Sequence, residues 1–230
     1  MKKPVVDYRE FRFSRINEPR FKHLWLLFIG WIGYFTLYYL TENFIPLERC
    51  TPIHCALDDL IPFCEYFLIF YCFWYALVFG SLLYTLLYDI ESFSNLQKFI
   101  MITQAVAMLI YILFPNRQDL RPDVFVRDNF LTHVLAFIYS FDTCTGVCPS
   151  LHVAYSLGIL SVVAKKHGWR SGWTWLILIL VILIRLSTTF VKQHSILDVF
   201  AALPLGLLAE IIVFGRSYWL PRLRKQGEYE

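Results

Sequence analysis

Lys192, Gln193, His194 and Asp198 fall within seven positions, between two long apolar runs. Polar and ionisable groups at a membrane boundary are costly and tend to mark a site. An imidazole followed four residues later by a carboxylate puts both side chains on one helix face, about one turn apart. A carboxylate so placed fixes the ring's tautomer and stabilises its charged form, as the third member of a catalytic triad does. A second stretch, Cys148-Pro149-Ser150-Leu151-His152, opens another apolar run. The N–H groups at a helix start are unpaired and the dipole there is positive, so Ser150 and His152 would stand where an anion binds. A third stretch, Arg121-Pro122, offers a guanidinium suited to bidentate contact with a phosphoryl group, Arg117 being a weaker candidate and Arg127 a solvated charge. Lys192 adds charge beside His194, and Arg185 is a cation inside an apolar helix that needs an anionic partner. One histidine to attack, another to protonate a leaving group and cations for the oxygens are the parts for phosphoryl transfer. No paired carboxylates mark a magnesium site, so a route without metal or cofactor is expected.

These residues need elements to hold them. Of the 230 residues, 57% are hydrophobic and 17% charged, where a soluble domain carries roughly a quarter charged. An all-α integral membrane protein is expected. A basic face for nucleic acid is absent, the net charge of +3 being small and unevenly spread. Six apolar segments approach the ~20 residues that cross a bilayer: 23–44, 61–87, 96–114, 151–164, 172–190 and 196–214. They predict a six-helix membrane domain over residues 23–215, with a segment 1–22 before it and a tail 216–230 after it. The first apolar run is read as a membrane helix that also directs insertion. With both termini cytoplasmic, the inner segments hold fifteen of the 21 Lys and Arg and the outer loops five, as the positive-inside rule favours. His152, His194 and the long loop 115–150 then share the extracytoplasmic face.

Cys50, Cys55, Cys144 and Cys148 fall in the outer loops, where disulfides form if the compartment is oxidising, in pairings the sequence leaves open. A zinc site on Cys50, His54 and Cys55 is the alternative, but no second ligand pair follows at a suitable spacing. Glu65 and Glu210 lie deeper in segments two and six. Glu210 is close enough to the inner end to reach the surface, and Glu65 could pair with Arg185.

Cys148-Pro-Ser-Leu-His152 and Ser187-x6-His194-x3-Asp198 resemble the second and third signature motifs of the type 2 phosphatidic acid phosphatase superfamily, and Arg121-Pro122 resembles the end of its first. The resemblance covers about residues 112–200. It implies that His194 is the nucleophile, Asp198 its orienting partner and His152 the general acid, with Ser150 and Arg121 on the phosphoryl oxygens. The chain departs from the pattern at Thr188, where the third motif has Arg, and at Phe114, where the first has Lys. Lys192 or Arg185 would substitute. Both departures resemble the inositol phosphorylceramide synthase-like branch, related to sphingomyelin synthases, in which a lipid hydroxyl can accept the phosphoryl group. The expected function is therefore a lipid phosphatase acting through a phosphohistidine on a lipid phosphate in the outer leaflet, in the plasma membrane. The alternatives are a phosphotransferase moving a headgroup between lipids and, from another class, a non-catalytic membrane protein or transporter.

Overall fold

The computed structural model describes residues 3–227, so the ends of the expected N-terminal segment and tail, residues 1–2 and 228–230, lie outside it. The chain is mostly helical. In order come α1 (Leu24–Phe44), β1 (Thr51–Pro52), α2 (Ala56–Leu60), α3 (Leu68–Tyr88), α4 (Ile90–Leu113), β2 (Asn116–Arg117), α5 (Phe130–Phe141), α6 (Leu151–His167), α7 (Gly172–Phe190), α8 (Ile196–Phe214) and α9 (Leu220–Gly227). Among the described residues five helical stretches are long and apolar enough to cross a membrane. The fourth expected span is α6, only 17 residues long. It packs against α3, α4, α7 and α8, and so needs less apolar surface of its own to face lipid.

Local chemistry sets the helix limits. Asp89 caps α4, accepting from the Ser92 N–H at 3.1 Å and its hydroxyl at 2.8 Å. This cap starts α4 six residues before the expected boundary. Pro115, which disfavours helical conformation in the residue before it, follows the C-cap. Ser195 and Asp198 form a capping box at the start of α8. The limits of α7 and α8 match those read from the sequence.

The central helices meet through small residues. A Cβ on Gly158 of α6 would lie 2.6 Å from the Phe99 ring of α4. A Cβ on Gly30 of α1 would lie 2.7 Å from Gln97 Nε2 and 2.8 Å from Met101 Cγ, both on α4. Glycine at position 30 thus lets α1 lean closely onto α4, and α1 packs along α4 rather than α3.

The long loop 115–150 is not structureless. It carries α5, capped by Asn129 through the N–H groups of Leu131 and Thr132. β2 pairs in parallel with β1 and bridges Thr145, which ties this loop to the one between α1 and α3. Glu65 pairs with Arg127 at 2.7 Å and accepts from Asn129 at 3.0 Å. Its partner is therefore Arg127, in the loop 115–150, and not Arg185. At the opposite end Glu210 is held by Lys165 at 2.5 Å, Ser161 at 2.5 Å and Trp219 at 2.6 Å rather than reaching out. The N-terminal segment packs below α3: Tyr8 donates to the Leu86 carbonyl at 2.9 Å, and Ile16, Phe21 and Leu24 form a small core. All six cysteines are free thiols.

Candidate active site

The end of α4, the starts of α6 and α8 and the end of α7 lie at one end of the bundle, and the expected residues converge there. His194 follows α7 directly, where the N–H groups of Gln193 and His194 both donate to the Thr188 carbonyl, at 2.9 and 3.1 Å. Thr188, the departure from the family pattern, contributes its backbone to this turn. His194 Nδ1 lies 3.1 Å from Asp198 Oδ2, and its Nε2 lies 3.2 Å from His152 Nδ1. Asp198 Oδ2 also accepts from the Ser195 N–H at 2.9 Å. With the carboxylate accepting at Nδ1, the ring proton belongs on Nδ1, and Nε2 presents its lone pair to the second histidine. Asp198 is fully buried and His194 only 7% exposed.

Ser150 begins α6 and is fully buried, its N–H donating to the Asp198 carbonyl at 3.0 Å. This bond joins the two motifs through backbone. Ser150 Oγ, His152 Nε2 and Asp198 Oδ1 are buried without a hydrogen-bond partner in the protein. Leaving such a group unsatisfied costs about 1–3 kcal/mol, and an unexplained group of this kind calls for a functional account. His152 is wedged among aromatic rings, with centroids 4.2 Å from Trp74 and 5.0 Å from Tyr71.

Arg121 reaches the same end. Its Nε and Nη2 donate to Gln193 Oε1 at 3.2 and 2.6 Å, its other hydrogen bonds go to the carbonyls of Tyr139 and Thr143, and its face lies 4.5 Å from the centroid of the Tyr139 ring. All are neutral acceptors, so the guanidinium is positioned without a carboxylate bonded to it.

Lys192 and Arg185 are not brought to the histidines. Lys192, at a positive φ of 52°, turns its ammonium to the carbonyls of Asp58 at 2.8 Å and Ile61 at 2.6 Å. Burial pushes its pKa down, opposed by Asp58 and Asp59. The Arg185 guanidinium lies over the Phe200 ring, 5.5 Å from its centroid. Neither is therefore placed beside the histidines: the ammonium of the first is bonded to two loop carbonyls, and the second lies over an aromatic face on α8.

Three site residues escaped the sequence reading. Gln193 bridges Arg121 to Asp142, its amide donating to Asp142 Oδ2 at 2.9 Å. Asp142 also accepts from Tyr71 at 3.3 Å. Asp58, on α2, accepts from Ser195 Oγ at 2.6 Å, the Cys55 N–H at 2.9 Å and the Ile196 N–H at 2.8 Å. It clamps the residues on the far side of His194. Only Gln193, between a Lys and a His, carried a local signal of the site; Asp142 reaches Gln193 across 51 positions and Asp58 reaches Ile196 across 138.

Burial raises the Asp58 pKa, but the bonds from Ser195, Ile196 and Cys55 outweigh this and hold it below 3.8. A carboxyl with a depressed folded-state pKa stabilises the fold above its unfolded value. That contribution is lost as the pH falls through the lower folded value. Asp58→Ala leaves the Ser195 hydroxyl and two N–H groups unpaired. It should cost about 3 kcal/mol, measured by thermal unfolding in detergent near neutral pH, with the gap to wild type closing in strong acid. Asp58→Asn, which retains an acceptor, should lie between the two.

A cavity of about 880 Å³ ends on His152 and His194, near the top of the range for small-molecule sites. Its α3 wall is one helical face, Tyr71, Trp74, Tyr75, Val78, Phe79, Leu82, Leu83 and Leu86. The fifteen steps from Tyr71 to Leu86, at about 1.5 Å each, make this wall about 22 Å long. The facing wall is α1, and Ile32, Phe35, Phe79 and Leu83 line the cavity while also being exposed at the outer surface. The cleft between α1 and α3 therefore opens sideways.

No family model and no curated protein matches the chain. The crystal structure of LpxE from Aquifex aeolicus is similar, with a TM-score of 0.48 and 21% identity over 78% of this chain and 93% of that one. A likeness of that degree does not by itself assign an activity.

Proposed function

We propose that the protein is a membrane lipid phosphatase of the type 2 phosphatidic acid phosphatase kind. The observation that carries this reading is the line Asp198–His194–His152, whose two histidines line an apolar, laterally open cavity. In the first half-reaction His194 Nε2 attacks phosphorus, the bond from phosphorus to the lipid oxygen breaks, and His152 gives that oxygen a proton. The two rings, now in contact, part to admit the phosphoryl group. Arg121 and the Ser150 hydroxyl hold its oxygens. In the second half a hydroxyl takes the phosphoryl group from His194. The apolar chain of the substrate lies between α1 and α3. We take the end rich in Lys and Arg, with Lys165, Lys166 and Arg170, as cytoplasmic, by which the site would face the extracytoplasmic side.

One observation favours the second reading, transfer to a lipid hydroxyl: His194 is nearly buried and faces an apolar cavity rather than an aqueous one. Purified protein in micelles with phosphatidate separates the two. Free phosphate released without any lipid alcohol supports hydrolysis. Turnover that requires an added lipid alcohol and yields its phosphoester supports transfer. No turnover of any lipid phosphate would sink both.

Val78 lies midway along the α3 wall. Val78→Trp should raise KM for long-chain phosphatidate roughly tenfold, the scale of a lost apolar contact of about 1.4 kcal/mol, and leave a short-chain analogue unaffected. Equal loss on both substrates would place the chain elsewhere.

A further inference from the structure

We propose that Asp142 accepts the proton of the hydroxyl that attacks the phosphohistidine, an inference that rests on the function proposed above. Asp142 is the C-cap of α5, its N–H donating to the Ile138 carbonyl at 2.9 Å. It lines the cavity together with both histidines. Two links hold it against them. Gln193, the chain neighbour of His194, donates to its Oδ2 at 2.9 Å. Tyr71, whose ring centroid lies 5.0 Å from that of His152, donates to the same oxygen at 3.3 Å. Both bonds fall on Oδ2, which leaves Oδ1 for a reacting hydroxyl.

No cation forms an ion pair with Asp142 among the described residues; Arg121 directs its bonds to Gln193 and to two carbonyls. A half-buried carboxylate held by neutral donors is poorly explained as a structural ion pair. It is well suited to taking up a proton. Burial pushes its pKa up, while Arg121 and His194 pull the other way. The net rise brings it closer to the range where a general base works near neutral pH.

In balanced form, the hydroxyl oxygen bonds to phosphorus opposite His194, and the bond from phosphorus to Nε2 breaks with its electron pair returning to the ring. The hydroxyl proton passes to Asp142 Oδ1. In-line attack brings the hydroxyl from the side on which the lipid oxygen departed, which is the cavity side, where Asp142 stands. His152 then serves the first half-reaction and Asp142 the second; Asp142 releases its proton to solvent and His152 takes one up before the next turnover. The acceptor hydroxyl belongs either to water or to a lipid alcohol, and its proton takes the same path.

The test is trapping. Asp142→Asn is nearly isosteric, and its amide oxygen can still accept from Gln193. With radiolabelled phosphatidate in micelles, with and without ceramide as a lipid alcohol distinct from the one the substrate releases, turnover should fall about 10²- to 10³-fold. Acid-labile label should accumulate on the protein, and it should be absent from a variant that also carries His194→Gln. Asp142→Ala should behave alike and regain turnover with added formate, a rescue that a purely structural role would not show. Label that discharges only when ceramide is added, into ceramide phosphate, would identify the lipid alcohol as acceptor; discharge in plain micelles as free phosphate would identify water. Near wild-type turnover in Asp142→Asn would overturn the inference. So would loss of turnover without accumulated label, provided His194→Gln is inactive. If His194→Gln keeps its turnover, the proposed function itself fails.

Discussion

His194→Gln is expected to reduce turnover of a lipid phosphate by about 10⁵- to 10⁶-fold, the scale of removing a nucleophile from a group of residues acting as one unit. The substitution leaves a polar side chain of similar reach opposite His152, so folding should survive, as measured by thermal unfolding and gel filtration in detergent. It removes the atom that would bond to phosphorus. The His194 ring is hydrogen-bonded to Asp198 and His152, both members of the same line, and so has no other evident purpose. Retained turnover would rule out phosphohistidine chemistry at this position and leave the two histidines without a role.

The second large effect is expected at Asp198. Asp198→Asn should lower turnover by roughly 10⁴-fold, the scale known for the equivalent change in a serine-protease triad. The cause is the proton. In the native arrangement the carboxylate accepts from Nδ1–H and leaves Nε2 with a lone pair. An amide NH2 facing Nδ1 would donate instead, moving the ring proton to Nε2 and blocking attack. Nδ1 and the Ser195 N–H share Oδ2, so an NH2 in that place leaves the Ser195 N–H unpaired, at about 1–3 kcal/mol. A fall in activity far larger than this loss of stability is the signature. Combined with His194→Gln, the change should add almost nothing, because residues acting as a unit are not additive.

How far the sequence reached follows from where each signal lies along the chain. His194 and Asp198 are four residues apart on one helix, and their contact follows from helical spacing alone. The limits of α7 and α8 were legible for the same reason, since Ser195 caps locally and the apolar runs are unbroken. Helix α5 was missed because Phe130–Phe141 is too short for a span, although Asn129 followed by Thr132 is a readable capping box. Lys192 was misassigned because charge was read without conformation: its left-handed backbone turns the side chain to the Asp58 and Ile61 carbonyls. The clamp by Asp58 and the network through Asp142 join segments more than fifty residues apart. No local pattern encodes such pairings; they exist only once α2 and α5 are folded over the end of the bundle.

The cleft between α1 and α3 bears on how such a protein would be measured. Its exposed rim of Ile32, Phe35, Phe79 and Leu83 faces hydrocarbon, so a ligand using it arrives by diffusing in the plane of the bilayer. Occupancy then follows the mole fraction of substrate among neighbouring lipids, not its molarity in the sample. Diluting vesicles at fixed composition should leave the rate per protein unchanged, while diluting the substrate with inert lipid should lower it.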